Sequence, residues 1–311
     1  MSIHVNFGGR YRLQVFHGDT DLLKYDTGWF SNIITDNGLN LLGTGFSPSC
    51  FVGTNGAPGA AGDTSITNPV GAGMVELSEG NQITTLPYYG WKRYTAAFAI
   101  GAIVGTIAEI GIGQSATNLF SRAQLLDVSG TPVTRTLGGI DRLTITYELR
   151  QYFDIDDQAF SVTVNGVATS GTRRILIRTL HASSNSMNPT LGRPAIVIAG
   201  GSNDSCFYTS GTTPFIGSDI YTPPSGTFVV ADYYVAEPYV AGEYKNTAVI
   251  GLTAARGIIS NITAVAVSVY DRWGPTWQVN GGDWQFSLDP PISKTQYEDL
   301  RLTFETSWGR A

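Results

Sequence analysis

Few residues of this chain could do chemistry, and their surroundings limit what that chemistry could be. Three histidines occur: His4, His17 and His181. His17 sits in an HGD turn and His181 opens the polar loop HASSNSMN. Neither neighbours a GxSxG elbow or a cysteine with an orienting acid, as nucleophilic catalysis requires, so both read as solvated turn histidines. Asp154, Asp156 and Asp157 offer the oxygen ligands of a hard cation, but the segment lacks the glycine and distal glutamate of a calcium loop. It reads as a solvated linker. Glu109, Glu148 and Glu305 fall on expected strands. Sugar hydrolysis would need two carboxylates about 5 to 9.5 Å apart, a distance no sequence shows. No catalytic residue, metal site or cofactor is therefore expected, and the chain reads as a non-enzyme. The remaining lead is aromatic. The run YDRWGPTWQVNGGDW holds Tyr270, Trp273, Trp277 and Trp284 in a glycine-rich, loop-like setting. Exposed Trp and Tyr suit flat sugar faces or a protein partner, so these four are candidate partner or receptor contacts. Packing in a core or a subunit contact is the plainer alternative.

The elements that would position these residues are strands. The 311 residues suffice for two domains of roughly 150 each. A composition 42% hydrophobic and 11% aromatic builds real cores. Thirty-seven glycines, with abundant Thr, Ser, Val and Ile, favour strands and turns. Only 14% of residues are charged, against roughly 25% in an average globular protein, which suits a surface partly buried against other subunits. A net charge of -6 gives no electrostatic footprint for nucleic acid. The start MSIHVNFGGRYRLQVF lacks the cationic and apolar regions of a signal peptide, and two cysteines make no disulfide framework. Synthesis in a reducing cytoplasm follows as the expectation.

The most apolar run, YTAAFAIGAIVGTIAEIGIG from Tyr94, must be told apart from a membrane span, which needs about 20 apolar residues. Glu109 interrupts it, Gly101 and Gly105 each weaken a helix by about 1 kcal/mol, and AEIGIG alternates with period two. Two strands, 95–100 and 106–112, are expected, joined around 101–105. The run NTAVIGLTAARGIISNITAVAV at 246–267 has the same shape and carries Arg256, which no lipid-facing helix would welcome.

That likeness extends along the chain. Ser49-Cys50-Phe51 recurs as Ser205-Cys206-Phe207, GDTSITNP as GSDIYTPP, Pro87-Tyr88 as Pro238-Tyr239, Tyr94 as Tyr244 and LTITYE as LRLTFE, at offsets of 150 to 157 residues. The order points to an internal duplication. The expected fold is all-β, two tandem β-sandwich-like domains over 1–156 and 157–311. The second opens with a strand, an Asn-Gly turn and a strand. Helix is expected only at NGLNLLG (37–43) and KTQYEDL (294–300). Cys50 and Cys206 take matching places, one domain apart, and read as small core residues.

The motifs GWFSNIITDNGLNLLGTG, FVGTNGAPGAAGDTSI, YYGWKRYTAAFAIG, GTIAEIGIGQSATNLFSRAQLLD and LTITYELRQYF, over about residues 8–160, resemble a family of bacteriophage tail-fibre and minor tail structural proteins. The second half departs from that pattern and matches mainly through the repeat. The resemblance implies a virion structural protein of the tail or neck, a fibre, collar or baseplate attachment component. It brings no catalytic residues. Its expected partners are other tail, collar or baseplate proteins and copies of the chain, a trimer being the expected closed assembly, with no nucleic acid and no membrane insertion. The alternative is a receptor-binding module that contacts host-surface glycan or protein through the second domain. A glycan-cleaving tailspike is the least fitting reading. Its parallel β-helix needs many short repeats, and here the repeat spans half the chain.

Overall fold

Strict alternation shapes the longest strand, β1 (Ser2–His17). Ile3, Val5, Phe7, Tyr11, Leu13 and Val15 are buried on one face, while His4, Asn6, Arg10, Arg12 and Gln14 stand on the other. That is the period of a half-buried strand. The computed structural model describes residues 1–45, 47–82, 85–152, 154, 156–175, 205–210, 226–267 and 284–311. After β1 the first half continues with β2 (Leu23–Ser31), β3 (Ile33–Ile34), helix α1 (Asp36–Thr44), β4 (Ser49–Gly53), β5 (Val70–Gly73) and β6 (Val75–Gln82). It goes on with β7 (Tyr89–Ala97), β8 (Gly105–Ile107), β9 (Glu109–Ser115), β10 (Asn118–Gln124), β11 (Arg135–Leu137) and β12 (Asp141–Tyr152). The second half contains β13 (Gln158–Val164), β14 (Val167–Ile175), β15 (Ser205–Ser210), β16 (Thr227–Val230) and β17 (Tyr233–Ala236). It ends with β18 (Lys245–Leu252), β19 (Ile259–Val267), β20 (Trp284–Lys294) and β21 (Leu300–Arg310). The fold is all-β, as expected, and α1 is the one α-helix among the described residues.

One long sheet runs β17-β18-β21-β1-β12-β7-β6. Along one edge β1 pairs antiparallel with β12. Along the other it pairs first in parallel with β21, over Ser2–Phe7, and then antiparallel with β2. Two further sheets cover the apolar face, β3-β10-β9-β4-β5 and β13-β14-β20-β19-β15-β16. Tyr11 and Tyr147 of the long sheet meet the first cover, where the Tyr11 hydroxyl lies 2.5 Å from Ser121 Oγ and Phe120 packs edge-on to Tyr147. Phe304 of β21 meets Phe286 of the second cover, with ring centroids 5.1 Å apart. The result is a β-sandwich with a continuous core.

Strand pairing follows the same order in both halves. β5-β4-β9-β10 matches β16-β15-β19-β20, and β6-β7-β12 matches β17-β18-β21. Cys50 lies between Ala72 and Ile112, and Cys206 between Val230 and Ala266; both cysteines are buried and free. Because β12 runs against β1 and β21 runs with it, one unit is turned end for end relative to the other. The halves are joined more closely than a cut at residue 156 implies, since β1 belongs to the sheet of both.

Several local expectations are revised. The strands of the apolar run do not pair with each other. β7 lies in the long sheet and β9 in a cover, and the chain crosses between layers where Gly101 and Gly105 take positive φ. β18 and β19 repeat that crossing. The match of Tyr94 with Tyr244 is out of register. Tyr94 is opposite Tyr147 while Ala248 is opposite Phe304, so Ala248 takes the place of Tyr94. No helix forms over 294–300: residues 295–299 turn between β20 and β21, anchored by Lys294, whose buried Nζ donates to the carbonyls of Gly257 and Thr295.

Helix α1 forms where expected. Thr35 caps it, its Oγ1 accepting from Gly38 N at 2.8 Å. The second half clamps it: Trp308 Nε1 donates to Leu39 O and the Tyr239 hydroxyl to Asn40 Oδ1, each at 2.8 Å, with the two rings stacked. The other side of α1 presses on β10 so closely that a Cβ on Gly38 would lie 2.0 Å from the Phe120 carbonyl oxygen. Gly38→Ala should therefore lower stability by about 1–3 kcal/mol through overpacking. Gly62→Ala, with nothing within 4 Å of its Cβ, should be near neutral. Urea unfolding midpoints would separate the two.

Candidate interaction surfaces

The outer face of the first unit gathers charge and aromatic area by register alone. Glu148 on β12 lies directly between Arg10 on β1 and Arg93 on β7, with Arg150 two residues along its own strand. All three guanidiniums reach its carboxylate, at 2.8, 2.6 and 2.7 Å, and the Glu148 side chain is 1% exposed. Rings fill the gaps. Arg10 stacks 4.3 Å from the centroid of Trp29, Arg93 stacks 5.4 Å from Trp29 and 4.2 Å from Trp91, and Arg150 stacks 4.3 Å from Tyr89. Beside this ladder Arg12 pairs with Asp26. Among the described residues, four arginines stand against two carboxylates here, on a chain of net charge -6. Chemically the face presents guanidinium edges able to receive anionic groups. The Trp rings are less available, since the chain's own guanidiniums cover them and Trp91 also lies against Gly80.

A second cluster holds the loop between β4 and β5. Glu109 is fully buried, accepts the amides of Asn55 and Thr67 at 3.0 and 2.9 Å, and pairs with Arg122 Nε at 2.7 Å. Arg122 also donates to the carbonyls of Ala57 and Pro58 and pairs with Asp63. Every charge here is used in fixing backbone. A cleft of about 250 Å³ opens beside it, between Asn32, Pro58 and Gln124. It is smaller than the ~300 Å³ at which small-molecule sites begin.

The aromatic lead from the sequence is only partly placed. Tyr270, Trp273 and Trp277 lie outside the described residues. Trp284 is the first residue of β20, paired between β14 and β19, and is 2% exposed, with Arg173 over its ring. Buried in this way, its ring presents no face to a ligand. His4 hydrogen-bonds Ser307 and Asn6 on the outer face, His17 ends β1, and His181 lies outside the described residues. Asp157 pairs with Arg174 and Asp154 accepts the Asp156 amide. Glu305 pairs across strands with Lys245 at 3.1 Å but is 39% exposed, unlike its counterpart Glu148. Sequence reasoning missed the Arg–Trp ladder, whose signal was alternate Trp-x-Arg and Glu-x-Arg spacing on β7 and β12. Among the described residues no helix is long and apolar enough to cross a membrane. Compared with models of protein families, with curated proteins and with solved structures, the chain has no match.

Burial alone would raise the Glu148 carboxyl, but hydrogen bonds from Arg10, Arg150 and Arg93 outweigh it and hold the group below its usual value of 4.5. A depressed folded value means that the contribution of Glu148 to stability is complete above about pH 4.5 and fades as pH falls. Glu148→Gln leaves three guanidiniums without their counter-ion and should cost about 3–5 kcal/mol at neutral pH. Stability of the variant should also change less between pH 6 and pH 3 (about 3 being below the usual carboxylate range) than that of the parent, measured by urea unfolding across pH.

Proposed function

We propose that this chain is a structural component of a tailed bacteriophage virion, a tail-fibre, collar or baseplate attachment protein that assembles with other tail proteins. The observation that carries the reading is the run of family-like motifs over about residues 8–160. These motifs fall on strands of a single packed unit: GWFSNIITDNGLNLLGTG runs from the last part of β2 through α1, YYGWKRYTAAFAIG contains β7, and residues 143–152 of LTITYELRQYF lie in β12. The rest of the geometry suits a scaffold. Two sandwich units share one sheet, charged residues are used in fixing strands and loops, and the outer face is a rigid ladder. The reading places the protein in the virion after synthesis in the host cytoplasm.

Gold-labelled antibody against the chain, imaged on purified virions, tests this. Label on the tail, its fibres or the neck is expected. Virions that carry no label and no peptide of the chain by mass spectrometry would overturn it.

A further inference from the structure

The end of the first unit where β1 turns into β2 is unlike the rest of its surface. Three connections meet there, the β1–β2 turn, the loop after β7 and the turn into β12, and the turn after β10 flanks them along β2. Gly18 N donates to Ile140 O at 2.7 Å, Gly101 N to Asp141 O at 3.1 Å, and Arg142 to Thr20 O at 3.2 Å. A Cβ on Gly28 would touch Val128. From these bound-together loops Leu22, Leu23, Ile100, Val104, Val128 and Ile140 project, each 46 to 80% exposed. Nothing in the fold of the chain needs them there. Val104, Val128 and Ile140 are turn or loop positions where a polar residue would serve.

The same feature recurs at the opposite end of the long sheet. The β13–β14 turn and the β20–β21 turn are joined by Asn165 donating to Glu298 at 3.2 Å, and Val167, Ile258 and Tyr297 stand exposed there. Since one unit is turned end for end relative to the other, the chain has two apolar poles facing away from each other.

We propose that the first pole is a self-association surface, on which the same pole of a second copy of this chain is seated. Area and charge both favour that occupant. At roughly 100 Å² of apolar surface for a fully exposed aliphatic side chain, six that are about 60% exposed present roughly 360 Å². Two facing poles then bury about 720 Å² of apolar surface, or about 1,300 Å² in all at the usual ~57% apolar share. That falls inside the roughly 1,200–2,000 Å² of specific interfaces. Charge does not oppose it. Lys24, Arg135 and Arg142 stand against Asp19, Asp21, Asp127 and Asp141, a local excess of one negative charge on a chain of -6. Two of these pairs are already closed, Lys24 with Asp141 and Arg142 with Asp21. A strongly acidic or basic partner would find nothing here to recognise it, whereas a second copy meets matching apolar area. The proposal does not depend on the virion reading, and either can fail alone.

Light scattering coupled to size-exclusion chromatography of the full chain, over a range of concentrations, tests it. The expected result is a species of at least twice the 33.3 kDa chain mass that reverts to the single-chain mass in the Val104→Asp/Ile140→Asp variant. Val128→Lys, at the most exposed of the six positions, should weaken association at least tenfold with unchanged near-ultraviolet circular dichroism. That signal guards against a folding defect. A parent that stays at the single-chain mass at the highest concentration, or an assembly that survives these substitutions in folded protein, would overturn the proposal.

Discussion

Everything else in the molecule depends on one strand being hydrogen-bonded along both of its edges. β1 gives one edge to β12 and the other to β21 and β2 in succession. In the second unit the strand that follows the order of β1, β13, pairs with β14 in a covering sheet. The inner edge of β21 would then carry open N–H and C=O groups, which a protein interior does not tolerate. The first six residues of β1 fill that edge. Two sandwiches that could have been beads on a string are thereby one sheet, with Trp308 and Tyr239 locking α1 across the same seam.

The economy of charge follows from this layout. With 14% charged residues, ions are concentrated where strands or loops must be held in register: Glu148 under three arginines, Glu109 with Arg122, Asp26 with Arg12, Asp157 with Arg174. The two buried networks, around Glu148 and around Glu109, fix geometry more than they add net stability. The poles are left with apolar loops and balanced rims. A rigid body with a charged flank and apolar ends has the attributes of a part in a larger assembly, which is the common ground of the two proposals above.

What could be read from the sequence was local. Alternation of apolar residues marks β1, β12 and β21, Asn165-Gly166 supplies the positive φ of a tight hairpin, and NGLNLLG marks the place of α1. The recurrence of Cys50 as Cys206 pointed to strand orders that do match. Long-range facts were hidden. No local pattern states that β1 lies beside a strand some 300 positions later, or that β7 and β9 belong to different layers. The Arg–Trp ladder needed four strands, β1, β2, β7 and β12, in known register before its members became neighbours. The place of Trp284 is a long-range fact of the same kind. A glycine-rich run before it looked like loop, yet the residue opens a central strand whose partners, β14 and β19, are distant in sequence.

Hydrogen–deuterium exchange across the intact chain, resolved by peptide, is the most direct measurement of the shared strand. Amides of residues 2–7 and 305–310 should exchange slowly and at similar rates, close to those of β12, because opening either segment requires breaking the same ladder. Residues 2–7 exchanging at the rate of a free peptide, while β12 stays protected, would contradict it and separate the molecule into two independent sandwiches.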